Sequence, residues 1–387
     1  MVTPHFLTIF AATFVVLVCV VLGVTLVIDP YGVSPISTNW DRINRLKPAR
    51  INIDRQIKPI EVWQRQPKTV FLGTSRTHQG LDPTDLDGSR FAPAYNASVP
   101  ANSLSLAAAQ LQQYIDLDPA LRVVGVELFF YQFIGVEQPR RPRLNYHRHS
   151  YVEALVGSAG LFLSIDAFWA TLQTLQHNWR ISTPVTTIAS GGNYWVPPSN
   201  PVRGSFDAFP DGIWSPKHSR EELFPQLNET AFQDLAEIVE LCRKHKLELI
   251  LLMLPNHAYD EYRLEYTGQW PNVAEWLRRL SAVATVYSFS QENDLTFEPV
   301  ATNMKYWLDP LHMNLAMGRH VLTGLAGTKQ PDTPDNFMVR LTPEGIEAHV
   351  ARRSQAARRW AAANGEFVDR FRAAHRKWEA AQSARRN

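Results

Sequence analysis

The sequence predicts an α/β protein with a doubly wound, mostly parallel sheet, an N-terminal transmembrane helix and a basic, helical C-terminal tail. From residue 68 onward, short apolar segments alternate with longer amphipathic ones, which is the order of strands and helices in parallel sheets. Residues 6–28 carry no charge and exceed the roughly 20 apolar residues that cross a bilayer. A chain of 387 residues with 45% hydrophobic content is long enough to bury a large core.

The predicted elements of the α/β region follow one another in a regular order. The segment 122–133 is rich in apolar and aromatic residues, which is typical of a strand covered on both faces. Residues 247–254 form a buried strand that ends at Pro255. We predict strands at 69–72, 94–96, 122–133, 247–254 and 284–289, and helices near 60–65 and at 103–117, 165–177, 222–246 and 273–280.

These patterns divide the chain into four parts. Residues 1–28 form an anchor, 29–67 an irregular basic connector, 68–330 the α/β domain, and 331–387 a basic amphipathic tail. Within the domain, 135–217 is an insertion rich in aromatic residues and proline. It is either padding at the side, a lid or cleft wall that stacks rings on a sugar chain, or disordered. An uncleaved anchor is favoured over a cleaved signal because no Lys or Arg precedes the apolar run.

The tail combines an excess of basic residues with an apolar stripe. Trp360, Phe367, Phe371 and Trp378 recur at helical spacing among alanine, arginine and lysine residues. Such a helix binds an anionic membrane or a partner, or packs back on its own domain. Because the predicted sheet is complete without it, we predict that the segment from Ala351 onward serves location rather than catalysis.

Composition argues against several classes of function. A net charge of +2 gives no indication of nucleic-acid binding. Cys19 lies in the apolar run and Cys242 is the single thiol of the remaining chain, so neither an intramolecular disulfide nor a cysteine-based zinc site is expected. His147 and His149 have no third ligand at a suitable spacing, and the sequence predicts neither a metal nor a cofactor.

Two short motifs, far apart in the chain, carry the candidate chemistry. Residues 73–76 (Gly-Thr-Ser-Arg) follow the first predicted strand and place Ser75 at its carboxyl end, where reacting groups gather in parallel sheets. Residues 309–312 (Asp-Pro-Leu-His) place the carboxylate of Asp309 near the imidazole of His312, just before a predicted helix. A serine hydroxyl becomes nucleophilic when an imidazole takes its proton, and a carboxylate orients that imidazole.

Each motif alone is a weak indication. A serine after a strand-ending glycine is often only a helix N-cap, and an Asp-Pro turn with a nearby histidine is common. The order of the two motifs, and a separation that spans several strand–helix units, favour the joint interpretation. The sequence therefore predicts Ser75 as nucleophile, His312 as base and Asp309 as the acid that orients it.

Residues 68–325 resemble the GDSL-like, or SGNH, hydrolase superfamily. Its first block is matched at 73–76 and its last at 309–312, whereas no Gly-x-Asn-Asp block is visible between them. A Ser-Arg pair behind one membrane helix is most similar to the branch that acylates bacterial cell-surface polymers, which includes alginate O-acetyltransferases and D-alanyl transfer proteins. The resemblance implies a three-layer, flavodoxin-like fold, a periplasmic domain on the bacterial inner membrane, a polysaccharide as acceptor and a membrane-bound acyl-donor protein as a further partner.

Four more residues are candidates for binding. Asn96 would donate a side-chain hydrogen bond to the oxyanion, beside the backbone N–H groups at the start of the helix that carries the serine. Arg76 pairs either with an acidic substrate group or with a nearby carboxylate. Asn256 and His257 follow a buried strand at its carboxyl end and either line the cleft or form an ordinary loop.

The sequence thus predicts serine-dependent acyl transfer, namely O-acetylation of an exported polysaccharide through an acyl-enzyme at Ser75. A secreted carbohydrate esterase or deacetylase would use the same groups with water as acceptor. A catalytically silent assembly subunit of an envelope polysaccharide complex is the alternative from another class. Arg42, Arg45 and Lys47 follow the span, and the positive-inside rule alone would place the domain in the cytoplasm; we follow the resemblance and expect the periplasm.

Overall fold

A computed structural model describes residues 4–34, 36–135, 160–180, 187–188, 191–195 and 202–386 and places a six-stranded sheet at the centre of the chain. The strands are β1 (Thr69–Leu72), β2 (Ala94–Asn96), β3 (Val123–Glu127), β4 (Thr187–Ile188), β5 (Tyr194–Trp195), β6 (Glu248–Met253), β7 (Val286–Ser288) and β8 (Val339–Leu341). β4 and β5 form a separate antiparallel pair. The six-stranded sheet is parallel except between β7 and β8, so the predicted mostly parallel sheet is confirmed.

The strand order positions the functional region. The sheet runs β2-β1-β3-β6-β7-β8, so the chain moves outward in one direction from β1 to β2 and in the other from β3 onward. Ligands of open α/β sheets bind outside the carboxyl ends of the strands at this reversal. Ser75 follows β1 directly at that point.

The helices connect these strands and extend the chain at both ends. They are α1 (Pro4–Ile28), α2 (Asp54–Arg65), α3 (Ser75–Gly80), α4 (Leu104–Leu117), α5 (Ile165–Arg180), α6 (Arg203–Ile213), α7 (Arg220–Leu223), α8 (Glu229–Lys244), α9 (Ala258–Tyr266), α10 (Trp270–Val283), α11 (Leu315–Ala326), α12 (Ile346–Ala363) and α13 (Gly365–Arg386).

Both faces of the sheet are covered. In β1, Val70 and Leu72 belong to one hydrophobic cluster and Phe71 to another, because successive side chains of a strand point to opposite faces. The first cluster includes residues of α4, α8, α10 and α12. The second includes residues of α9, α11 and α13. Helices therefore pack on the two sides of the sheet, as the doubly wound prediction requires.

Most predicted elements are confirmed with small shifts at their ends. The strand predicted at 122–133 is too long, because the chain leaves the sheet after β3 and turns into the 3₁₀ helix Phe130–Gln132. The helix predicted at 222–246 is divided into α7 and α8 on either side of Pro225, since proline cannot continue a helix from the preceding turn. Of the insertion 135–217, the structure describes α5, β4, β5, α6 and their nearest neighbours; residues 136–159 and 196–201, including the histidines at 147 and 149, lie outside the described residues.

The connector 29–67 is a correction to the sequence prediction, because it belongs to the core. Its helix α2 is longer than predicted and buries Ile57, Lys58, Glu61 and Val62. The Lys58 ammonium donates to the carbonyl of Asn96 at 2.7 Å. Charged residues at helical spacing indicate a solvated face in sequence, whereas here they are buried and paired with partners on other elements.

The boundary at residue 330 is also corrected. β8 is the sixth strand of the sheet, and Trp360, Phe371 and Trp378 of the tail are buried. The ring of Trp360 stacks on Tyr259 at 5.1 Å between centroids. Of the alternatives left open by the sequence, the tail that packs back on its own domain is the one observed. That the segment from Ala351 onward serves location rather than catalysis stays a prediction.

Replacing Phe371 tests this packing. Its side chain is completely buried against α6 and α9, so Phe371→Ala is expected to lower the free energy of unfolding by about 3–5 kcal/mol. Denaturant unfolding of the detergent-solubilised chain measures the change. Gln355→Ala, at an exposed position of α12, is the control and should stay within about 0.5 kcal/mol of the parent. Equal stability of both variants would mean that the tail is not part of the core.

α1 is apolar and exposed. Residues His5–Ile28 are long and apolar enough to cross a membrane, and the structure describes one such helix. At its end, the Asp29 carboxylate accepts hydrogen bonds from the backbone N–H groups of Gly32 and Val33 at 2.8 and 3.0 Å. The chain therefore turns sharply out of the helix and enters the folded region at once.

Candidate functional site

Ser75 is placed by a tight turn after β1. Thr74 is the N-cap of α3, and its side chain accepts a hydrogen bond from the Arg76 N–H, so Ser75 is the first residue of the helix. Gly73 is required at this turn, because a Cβ there would lie 2.6 Å from a carboxylate oxygen of Glu127. The sequence thus exposes a serine hydroxyl at the carboxyl end of a central strand.

His312 lies on a turn that Asp309 closes. One oxygen of the Asp309 carboxylate accepts hydrogen bonds from the N–H groups of Leu311 and His312 at 2.7 and 2.9 Å. The Leu308 N–H donates to the His312 carbonyl at 2.9 Å. Asn314 then caps α11 by accepting from the first N–H groups of that helix. The aspartate therefore holds the shape of the turn as well as contacting the imidazole.

The structure brings Ser75, His312 and Asp309 together in one row of hydrogen bonds. The Ser75 Oγ lies 2.8 Å from His312 Nε2, and His312 Nδ1 lies 2.7 Å from the second oxygen of Asp309. With the proton on Nδ1 donated to the carboxylate, Nε2 is free to accept from the hydroxyl. This is the geometry in which an imidazole acts as a general base toward serine.

The carboxylate is held in its charged form. Burial alone would raise the pKa of Asp309, but its hydrogen bond and charge interaction with His312, together with the two backbone N–H donors, lower that pKa below its ordinary value. A negative charge beside Nδ1 stabilises the imidazolium that forms when Nε2 takes a proton. The side chains of His312 and Asp309 are 21% and 33% exposed, so the row opens to solvent at the surface.

A glycine permits the close approach of α3, which begins with Ser75, and α11, which follows His312. Gly318 of α11 lies against the backbone carbonyl of Gly80 in α3, and any Cβ at Gly318 would clash with it. A glycine permits this close approach of two backbones. The helix that follows His312 therefore docks directly on the helix that begins with Ser75.

The buried side chain of Arg76 connects the motif at 73–76 to the motif at 309–312. Its guanidinium donates to the carbonyls of Leu311 and Pro255 at 2.9 and 2.6 Å and to the side-chain oxygen of Asn256 at 2.6 Å. It also lies 3.5 Å from the carboxylate of Glu127. Since Arg76 is buried, the structure favours the ion pair within the protein over contact with an acidic substrate group.

Glu127, which the sequence analysis did not identify, supports the turn that carries Ser75. This buried carboxylate at the end of β3 accepts from the N–H of Thr74 and from the hydroxyl of Thr77, both at 2.7 Å. It thereby fixes the first turn of α3. An acidic residue that closes an otherwise apolar strand was the available signal, because a buried carboxylate needs partners.

Asn96 does not serve as the predicted oxyanion donor. Its side chain is completely buried, and its amide group donates to the carbonyls of Thr77 and Leu81, both at 2.8 Å. Both amide hydrogens are therefore used to hold α3 and the following loop against β2. The sequence could not predict this role, because an asparagine at a strand end has the same local pattern whether its side chain binds a ligand or the backbone.

Asn256 and His257 are likewise corrected to structural roles. Asn256 accepts from Arg76 and donates to Asp260 at 2.9 Å. His257 is completely buried at the N-cap of α9, where Nδ1 accepts from the Tyr259 N–H at 3.1 Å. Both residues are buried, and their side chains are used in these contacts within the protein.

The buried imidazole of His257 makes stability depend on pH. Burial lowers its pKa from 6.5 to about 4, although its hydrogen bond to the Glu298 carbonyl opposes the shift. Between these values the unfolded chain binds a proton that the folded chain does not, so the free energy of unfolding falls as the pH is lowered from 6.5 to 4. The loss attributable to this residue is on the order of 3 kcal/mol.

We expect His257→Asn, which keeps a capping side chain and does not titrate, to unfold with a shallower pH dependence than the parent in this window. Urea unfolding at a series of pH values measures both slopes. His349, whose pKa burial lowers to about 3, shifts in the same direction, so the difference between the two chains is the informative quantity. Identical slopes would contradict the prediction.

Asn193 is a second residue that the sequence analysis missed. It lies just before β5, in a segment whose Gly191 carbonyl accepts from the Asn96 N–H at 2.8 Å. Its side chain is completely buried, and neither its nitrogen nor its oxygen has a hydrogen-bond partner among the described residues. The signal was residues 191–193 (Gly-Gly-Asn), which match a Gly-x-Asn pattern with Tyr194 in the next position.

The comparisons with known proteins leave the site to be judged on its geometry. No protein-family model matches the chain. A search of curated proteins found no similar sequence. Within the described part of the chain, no group of three or more His, Cys, Asp or Glu residues is arranged to hold a metal ion.

Proposed function

We propose that this chain is a membrane-anchored, serine-dependent acyl-transfer enzyme that O-acetylates an exported bacterial polysaccharide. The observation that carries the proposal is the hydrogen-bonded row from Ser75 through His312 to Asp309. The fold assignment that goes with it is that of the SGNH hydrolases, a three-layer, flavodoxin-like arrangement. The strand order, with the serine at the point of reversal, supports this assignment.

The first half-reaction forms the acyl-enzyme. The Ser75 Oγ attacks the carbonyl carbon of the acyl donor while His312 Nε2 takes the hydroxyl proton. The bond from the carbonyl carbon to the leaving group then breaks, and the imidazolium returns that proton to the leaving group. The Asp309 carboxylate stabilises the imidazolium throughout.

The second half-reaction transfers the acyl group. A sugar hydroxyl gives its proton to His312 Nε2 and attacks the ester carbonyl, and the proton returns to the Ser75 Oγ as the ester bond to serine breaks. The N–H of Ser75, at the first position of α3, has no intrahelical partner and would donate to the oxyanion in this proposal. Asn193 has no partner for its amide among the described residues and directly precedes β5, which contacts α3; it is the side-chain donor that we propose in place of Asn96.

The acceptor distinguishes this proposal from its alternatives. Water in place of a sugar hydroxyl would make the chain a carbohydrate esterase or deacetylase through the same steps. A catalytically silent assembly subunit would place no demand on the row of hydrogen bonds, whereas Glu127, Arg76 and Gly318 all act to hold it together. The polysaccharide acceptor and a membrane-bound donor protein as partner rest on the resemblance of residues 73–76 and 309–312.

The proposed location is the periplasmic face of the inner membrane, with α1 as a single-pass anchor. The positive-inside rule counts Lys47 against this orientation, but its ammonium is buried and lies 3.7 Å from the Asp29 carboxylate. That charge is neutralised within the fold and has little weight in the count. Arg45 pairs with Asp41 at 3.4 Å on the surface.

A reporter fusion tests this orientation. Alkaline phosphatase fused after Asn387 is expected to be active in intact bacteria, because it folds only outside the cytoplasm, where its disulfides form. A cytoplasmic reporter such as β-galactosidase, fused at the same residue, is the matched control and should be inactive. The reverse pattern would place the domain in the cytoplasm and remove the exported polysaccharide as acceptor.

The proposed activity is tested by labelling and by product analysis. A fluorophosphonate probe should label the parent chain in membranes, and heat-denatured protein is the control for non-specific labelling. Incubation with an acetyl donor and either an oligosaccharide or buffer alone separates transferase from esterase, because acetyl sugar forms in one case and free acetate in the other. Labelling without either product would favour a silent subunit, and the absence of labelling would overturn the serine mechanism.

A further inference from the structure

The exposed apolar surface outside α1 is concentrated in one place. Within the described part of the chain, all but one of the exposed large apolar side chains beyond α1 lie in two segments, 36–43 and 163–179. They are Ile36, Trp40, Ile43, Leu163, Ile165, Phe168, Trp169, Leu172 and Trp179. A cluster of this kind marks an interaction surface, since scattered single residues need no such explanation.

Helix α5 carries most of these residues. Its pattern of burial is the reverse of that in a water-soluble protein, because its large apolar side chains are exposed. It buries small or polar side chains, among them Ala167, Thr171 and Asn178. It exposes Trp169 at 63% and Trp179 at 77%. The helix α8 shows the ordinary arrangement, in which large residues such as those at 235 and 238 face the core.

α5 packs against the last turns of the membrane helix. Leu22 and Leu26 of α1 contact the cluster that contains Phe162, Ala167 and Ala170. Thr171 also lies 3.4 Å from Thr25 between hydroxyl oxygens. The exposed surface of α5 is therefore continuous with the apolar surface of α1.

The second segment joins the same surface. The Asn44 amide donates to the carbonyl of Ile28, the last residue of α1, at 3.0 Å. Leu46 and Asn178 exchange two hydrogen bonds at 2.9 and 2.7 Å, which fix the far end of α5 to this loop. Trp40 and Ile43 consequently stand around the point where α1 ends.

The depth of these contacts matches the edge of a bilayer. Leu22 precedes the end of α1 by six residues, which at 1.5 Å per residue is about 9 Å into the span. Interfacial helices lie about 5–10 Å below the headgroup boundary. Tryptophan is enriched at that boundary, and the polar residues Asp166, Gln173 and His177 of α5 form a strip along one flank of the exposed apolar face.

We infer that α5 is an interfacial membrane helix, with Ile165, Phe168, Trp169 and Leu172 in the acyl region of the leaflet where α1 ends. A phospholipid bilayer is thus the occupant of the apolar surface formed by residues 36–43 and 163–179. The inference rests on α1 as a membrane anchor and is independent of acyl transfer, so the two proposals can fail separately.

This seating fixes the domain against the membrane. The 3₁₀ helix Pro48–Ile53 packs on α5, and the next residue, Asp54, places its carboxylate 3.1 Å from His78 of α3. The helix that begins with Ser75 is therefore joined to the membrane surface by two successive packing contacts.

Nitroxide accessibility tests the inference on the full chain in vesicles of phosphatidylethanolamine and phosphatidylglycerol. In a Cys19→Ala background, in which the other cysteine is buried, Phe168→Cys and Leu172→Cys carry the label. Gln173→Cys, exposed on the polar side of the same helix, is the matched control. The labels at 168 and 172 should show several-fold higher oxygen-to-nickel accessibility ratios than the label at 173.

A label on the native Cys19 of the parent chain reports the position of α1 independently. Lipid-like accessibility at 19 with water-like accessibility at 168 and 172 would overturn the inference while retaining the anchor. Low accessibility of the labels at 168 and 172 to both reagents would mean that protein covers α5, which also overturns it. Water-like accessibility at 19 would remove the membrane account altogether.

Discussion

Ser75→Ala is expected to lower acyl-ester turnover by roughly 10⁴-fold or more, with little change in stability. In the proposed mechanism the Ser75 hydroxyl forms the covalent intermediate, and alanine leaves His312 and Asp309 with no hydroxyl to activate. The helix cap is provided by Thr74, so α3 keeps its first turn. The lost hydrogen bond to His312 lies at a partly exposed position and is worth about 1 kcal/mol or less.

Hydrolysis of a chromogenic acetyl ester, and polysaccharide acetylation in intact cells, measure the effect. Ser281→Ala, at a serine on α10 whose hydroxyl donates to the Arg278 carbonyl of the same helix, is the matched control and should retain parent activity. His312→Ala and Asp309→Ala combined with Ser75→Ala should add little further loss, because the three act as a unit. Turnover by Ser75→Ala near that of the parent would show that this row is not the catalytic apparatus.

Arg76→Met is expected to destabilise the fold by about 3–5 kcal/mol, since it removes one member of a buried ion pair and leaves the Glu127 carboxylate uncompensated. The carbonyls of Pro255 and Leu311 also lose their donor. Because Leu311 belongs to the turn that presents His312, any folded fraction should have a lowered kcat. The residue is thus a positioning residue, which acts through the turn rather than on the substrate.

Urea unfolding of the detergent-solubilised chain measures the loss of stability. Arg243→Met is the control, because Arg243 pairs with Glu240 at 74% and 59% side-chain exposure and exposed pairs contribute about 1 kcal/mol or less. Arg76→Lys keeps the charge without the forked donors and should fall between the two. If Arg76→Met were as stable as the control, the buried network would not hold the two motifs together.

The sequence was sufficient to predict those site residues whose types and spacing are recognisable within a short segment. Ser75 follows a strand-ending glycine, and Asp309 and His312 share one short turn, so their types and order are visible in the printed chain. The helix and strand alternation likewise predicted the sheet, because apolar periodicity reports which faces are covered. What these patterns do not report is which distant polar groups meet.

The residues that were missed, or whose role the sequence left open or assigned wrongly, are those that depend on distant partners. Glu127 and Arg76 meet only because β3 and β1 are neighbours in the sheet, and Asn96 is occupied only because α3 folds back over β2. The connector and the tail were placed outside the domain because charged residues such as Lys58 and Arg353 usually face solvent. Here Arg353 is buried with its guanidinium 2.7 Å from the Glu261 carboxylate.

The most direct test of the central claim is to trap the acyl-enzyme. The parent chain is mixed with an activated acetyl ester, quenched in acid within seconds, digested and examined by mass spectrometry, with Ser75→Ala treated in parallel. We expect one acetyl group on the peptide that contains Ser75, little of it in Asp309→Ala, and none at that position in Ser75→Ala. Turnover of the ester with Ser75 unmodified, or an acetyl group carried by another residue, would contradict the account.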